Sequence, residues 1–179
     1  GLSIYSEEFD YYSPEKGSDA HRRILLKKLN ELLSSSSEKK TQTHKALHQI
    51  AEKIHRRSLI FLFTDMFQHD QDDSRLFEAL RHLRHNKHEV VLFHTYDGKL
   101  EYEFGFDNRP KRFVDIETGE HIDLYADTVK EGYQKYVEKY FNDLKLNCMQ
   151  YKIDYVPVDI NKGFDQVLTS YLISRKRFI

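Results

Sequence analysis

Tryptophan is absent from the 179 residues, and cysteine, methionine, proline and glycine number only 1, 2, 3 and 7. A single cysteine excludes an internal disulfide framework and any multi-cysteine metal centre, and it fits a reducing compartment. With glycine this scarce there is no phosphate-cradling loop, no dinucleotide fingerprint and no nucleophile elbow. No apolar run approaches the roughly 18 residues of a membrane-spanning helix, and no signal peptide opens the chain. Net charge is −1, so neither sign is in excess and nothing points to nucleic acid or to an acidic surface. A cytoplasmic protein without membrane insertion is the expectation.

What is present is an ordinary charged fraction of 32% and a strong aromatic component, 12 Tyr and 12 Phe. The length suits one domain over residues 1–179, burying roughly 70% of the unfolded surface. Gly1-Leu2-Ser3-Ile4-Tyr5 already reads as a strand; with no initiator Met, the expectation is a sequence that begins in mid-domain.

Residues 9 to 12 make a second strand, ended by Pro14 and Gly17. Ser18 or Asp19 caps a helix with the stripe Ile24, Leu25, Leu29, Leu32 and Leu33. Ser34 to Lys40 is a polar connection. The next helix places Ala46, Leu47, Ile50, Ala51 and Ile54 on one face and leads into Leu59–Phe63, an apolar run that predicts a strand buried on both faces. An acidic loop from His69 to Ser74 precedes a helix with Leu76, Phe77, Leu80 and Leu83 inward. Glu89–Thr95 is a second buried strand, closed by Asp97-Gly98. Residues 112–116 and 121–124 form a small hairpin. Asp127 caps a helix with Tyr133, Tyr136, Val137, Tyr140, Phe141 and Leu144 at helical spacing. Ile153–Ile160 is a strand interrupted by Pro157, hence an edge strand or one that ends early, and Phe164, Val167, Leu168, Tyr171 and Leu172 mark a last helix. Strand and helix alternate, which argues α/β with a mostly parallel sheet.

Thr64-Asp65 ends the first apolar run abruptly. A carboxylate there is costly to bury unpaired, so Asp65 either caps a turn or sits in the crevice where open α/β sheets bind ligands. The helix leading into this strand opens with Thr41-Gln42-Thr43. In a right-handed connection that helix start shares a sheet edge with the strand's carboxyl end. Thr41 or Thr43 then approaches Asp65, a partial oxygen site for a hard cation such as Mg²⁺.

A Thr-x-Thr helix start followed by an apolar strand ending in Thr-Asp resembles the von Willebrand factor A fold with its metal-ion-dependent adhesion site. Lys45–Ala51, Leu59–Asp65, Glu78–Arg84, Lys87–Val90, Ile153-Asp154-Tyr155 and above all Phe113-Val114-Asp115-Ile116-Glu117-Thr118-Gly119-Glu120 sharpen the resemblance. They are similar to the bacterial domain of unknown function family numbered 58. The resemblance implies an A-type sheet, mostly parallel and flanked by helices. Its metal ligands would be Thr41 and Asp65, with Thr43, Thr64 and Met66 beside them at the partner-binding edge. The family's Asp-x-Ser-x-Ser loop occurs nowhere in the chain. This implies N-terminal truncation, a missing first central strand, and Mg²⁺ or Mn²⁺ held by the full-length parent, with occupancy of this stretch alone left open. The implied function is a non-catalytic protein–protein interaction module working with a MoxR-type AAA+ ATPase.

The rival is a Mg²⁺-dependent hydrolase or phosphotransferase using Asp65 with the Asp70–Asp73 loop. Plainer readings stand beside these. Asp70, Asp72 and Asp73 suit a solvated helix start, His82, His85 and His88 a basic helix end, and Cys148 an inert apolar position.

Overall fold

The computed structural model describes residues 1–6, 9–34, 43–65, 70–114 and 119–176. The chain opens with an antiparallel pair, β1 (Leu2–Tyr5) and β2 (Phe9–Ser13). Then follow α1 (Asp19–Leu32), α2 (Thr43–Lys53), β3 (Leu59–Thr64), α3 (Asp70–His85), β4 (Glu89–Tyr96) and a π-helical turn over Gly98–Tyr102. The antiparallel hairpin β5 (Pro110–Val114) and β6 (His121–Tyr125) precedes α4 (Ala126–Gln150), β7 (Asp154–Asp159) and α5 (Phe164–Lys176).

The centre is a three-stranded parallel sheet in the order β3-β4-β7. Val-rich β4 is its middle strand because its side chains are apolar toward both faces, as parallel sheets require. Period-two alternation then sorts the rest. Ile60 and Leu62 align with Val90 and Leu92 on the face covered by α2, α3 and α4, where Leu47, Ile50, Leu76, Leu80, Leu83, Leu144 and Cys148 close the main core. Leu80 and Leu83 reach zero exposure, each contributing roughly 1.5–3 kcal/mol of apolar burial. On the opposite face Val91 and Phe93 meet Tyr171 of α5, with Val156, Val158 and Val167 around them. Burial pushes the Cys148 thiol up to about 12.

α3 and α4 end alike. Lys87 and Lys152 take left-handed φ values of 65° and 57°. The N–H of His88 then donates to the Leu83 carbonyl (3.2 Å) and that of Ile153 to the Cys148 carbonyl (2.9 Å), closing each last turn and aiming the chain into β4 or β7.

Several expectations need correcting. β3 is not buried on both faces: it is an edge strand, and Leu59, Phe61 and Phe63 are exposed on the face that carries α5. Doubly apolar sequence fixes strand type but not whether a neighbour is present. The α1 stripe is likewise largely uncovered; Ser18, one of the two expected caps, holds the N-terminus, yet Ile24, Leu29, Leu32 and Leu33 are exposed, Leu25 is half-buried and His21 is the buried residue of that helix. The acidic stretch from Asp70 is the first turn of α3 rather than a loop. Asp127 lies inside α4, whose N-cap is Tyr125 without a side-chain cap. Tyr136, Phe164 and Leu172 point to water. The hairpin forms, but its first strand is Pro110–Val114, and residues 115–118 and most of the Ser34–Lys40 connection lie outside the described residues. Pro157 does sit in an edge strand, β7. No described helix is long and apolar enough to cross a membrane.

Candidate functional site

Parallel strands deliver their carboxyl ends to one rim, and the first landmark there is Tyr5 at the end of β1. Burial pushes its phenol up to about 12; a side-chain hydrogen bond with Thr43 pulls it back, and the negative field of Asp65 raises it further. Tyr5 therefore brings together the end of β1, the first residue of α2 and the residue after β3. Thr43 is fully buried, whereas Asp65 faces solvent.

The backbone of Asp65 is held by the buried His94 of β4. Its Nε2 lies 3.0 Å from the Asp65 carbonyl oxygen and its Nδ1 2.8 Å from the Tyr155 hydroxyl. A carbonyl only accepts, so Nε2 carries the proton and donates, and Nδ1 accepts from Tyr155. Burial drives the His94 pKa down to about 4 against the pull of the Asp65 carbonyl, so the ring is neutral at pH 7. Phe141 packs on that ring at 4.6 Å between centroids. The result is a fixed line from β7 through β4 to the end of β3.

Acids gather farther along the rim. Asp97 accepts from the backbone N–H groups of Lys99 and Leu100 and from the Asn161 amide. Those bonds, led by the one from Leu100, hold its carboxyl below the usual range. Glu101 accepts from the Asp97 N–H at 2.8 Å. Burial raises the Glu101 carboxyl, and the fields of Asp97 and Asp65 add to the rise. Asp159 opposes its own burial by accepting from the N–H groups of Gly98 and Asn161, each at 3.0 Å, with Lys162 nearby at 3.3 Å. Gly98 is required there, since a Cβ would collide with the Asp159 carboxylate.

Of the residues expected at the site, Asp65 stands at the rim, Thr43 lies beneath it bonded to Tyr5, and Thr64 is half-buried opposite His94. Thr41 and Met66 lie outside the described residues, as do the side chains of Asp70, Asp72 and Asp73. Tyr5, His94, Glu101 and Tyr155 were not anticipated. The signal for His94 was a polar ring ending an otherwise apolar strand, in register with Thr64.

A hard divalent cation takes about six oxygens. Among the described residues no group of three or more His, Cys, Asp or Glu side chains is placed to hold a metal ion. Asp65 offers one carboxylate, and the Thr43 side chain is engaged with Tyr5. These donors do not by themselves fit a resident ion.

The family described as "Protein of unknown function DUF58" matches residues 1–141. Comparison with curated proteins and with solved structures finds no match.

Proposed function

The chain belongs to the DUF58 family, and from that footing we propose that it is a non-catalytic protein-binding module of the von Willebrand factor A type. The observation that carries this reading is the meeting of Tyr5, Thr43 and Asp65 at one rim. It is supported by a sheet that stands in two pieces. Tyr5 packs against the same core as Ile60 and Leu62, yet β1 pairs with β2 and β3 with β4, and no described strand links β1 to β3. One strand seated between them would give a continuous sheet and bring its following loop to the rim beside Asp65. In this reading the strand and its oxygen-rich loop come from the longer parent, and so do the ligands that complete a site for Mg²⁺ or Mn²⁺. Thr41 and Asp65 would then be ligands, with Thr43, Thr64 and Met66 around the partner's point of contact.

The chemistry is one of exchange rather than turnover: a partly hydrated cation swaps one water for a carboxylate of the partner. A MoxR-type AAA+ ATPase in the cytoplasm is the partner this reading favours. The test is capture of that ATPase by the full-length parent, in Mg²⁺ and in EDTA, with wild type and Asp65→Asn. Capture in Mg²⁺ alone, abolished by Asp65→Asn, is the expected result. Capture indifferent to both would overturn the metal-bridged contact. Divalent-dependent phosphatase turnover lost in Asp65→Asn would instead establish the rival hydrolase.

A further inference from the structure

The helix layer carries a second constellation, away from the rim and independent of the reading above. His48 of α2 and His82 of α3 face each other across the helix pair, Nδ1 to Nδ1 at 3.3 Å, with ring centroids 5.6 Å apart and planes tilted by 44°. We propose that this pair is a transition-metal chelate, Zn²⁺ being the ion it fits, that clips α2 to α3.

The spacing is the first argument. Two imidazole nitrogens on a tetrahedral zinc, each at a bond length of about 2.0–2.1 Å, stand about 3.3–3.4 Å from each other. A single N–H···N hydrogen bond also satisfies the pair, and metal replaces it by shifting one proton from Nδ1 to Nε2 without moving either helix. Rigidity is the second argument. Leu47 and Ala51 beside His48, and Ala79 and Leu83 beside His82, are packed in the core at 0–3% exposure. One turn farther on, Asn86 donates to the Ala51 carbonyl at 3.2 Å, fixing the register of the two helices. Donors on packed helices are preorganised in a way that donors on loops are not.

Access and ligand type complete the case. Both histidines are half-buried, so water reaches the pair and fills the remaining positions. Imidazole selects zinc, nickel or copper over magnesium or calcium. Among the described residues no third His, Cys, Asp or Glu completes the set, so affinity falls in the micromolar range rather than that of four-ligand structural zinc. The sequence reading took His82, His85 and His88 as a basic helix end; tertiary packing joins His82 to His48 of another helix.

The experiment uses the whole chain and Zn²⁺ as the probe, with binding read by competition against a chromophoric chelator and by thermal unfolding. One zinc per chain is expected. At a hundredfold excess over Kd, the midpoint should rise by roughly 5–11 °C. His48→Gln and His82→Gln should each weaken binding by roughly tenfold or more, while His85→Gln, on the exposed side of α3, leaves it unchanged. Saturable binding that survives both substitutions, or none at submillimolar zinc, overturns the proposal. Should a variant fold poorly, the wild-type chain decides alone. Co²⁺ must then give a saturable visible absorption that zinc displaces, and its absence is equally fatal.

Discussion

The two edges of the parallel sheet are built on opposite rules. β7 carries Pro157 and opens with the exposed Asp154, devices by which an edge strand discourages further pairing. β3 reads Leu-Ile-Phe-Leu-Phe-Thr, with neither a charge nor a proline. Tyr171 of α5 meets Phe93 and Phe61 alike in edge contacts, at 5.9 and 6.0 Å between centroids, yet Phe61 stays 47% exposed. Phe63, stacked on Phe93 at 4.8 Å, is still 64% exposed. One edge is shaped for water and the other for cover. The further strand proposed beside β3 would cover this apolar edge.

The largest effect that sharpens this contrast lies within β3 itself. Leu62→Ala, on the inner face, should cost about 2–5 kcal/mol in urea unfolding. Phe63→Ser, one residue away on the outer face, should cost about 1 kcal/mol, chiefly its stacking on Phe93. Equal losses would mean that the outer face is packed after all and would remove the asymmetry.

Next in size is the tie between the edges, His94. Its native pKa lies near 4 and its ordinary value near 6.5, so the unfolded chain takes up the proton first. The resulting stabilisation, on the order of 2–3 kcal/mol, is complete above pH 6.5 and fades as pH falls toward 4. Buried His88, whose Nδ1 accepts from the Ser58 N–H, is shifted downward too, by burial, and adds to the same window. Stability measured against pH should fall across this range, and His94→Gln should fall less steeply. Parallel curves would show that His94 does not couple β7 to the end of β3.

The smallest change in stability, within about 1 kcal/mol, is expected for Pro157→Val. Its readout is association: with the proline gone, sedimentation should show more self-association than in the parent chain. No increase would mean that the proline does not guard this edge.

Much of this architecture was legible in the residues. The cap at Ser18, the inward faces of α2 and α3, the buried β4 and the edge position of β7 all follow from periodicity, capping chemistry and one proline. Coverage was not legible. Leu59, Phe61 and Phe63, like Ile24 and Leu33 of α1, look like core residues because they are apolar, and their exposure depends on which neighbours are present. At the rim, Asp65 was readable because a carboxylate after an apolar run is conspicuous. His94, Tyr155 and Tyr5 were not, since their roles rest on strand register and on contacts across 29 to 61 residues of sequence. The pairing of His48 with His82 escaped for the same reason.

Cys148 turns the fold into its own stopwatch. With no exposed surface and a thiol pushed up to about 12, it holds almost no thiolate at neutral pH and presents none to an alkylating or disulfide reagent. It is also the one cysteine in the sequence, so no second thiol blurs the signal. Each labelling event then records a moment when α4 parted from the layer beneath it.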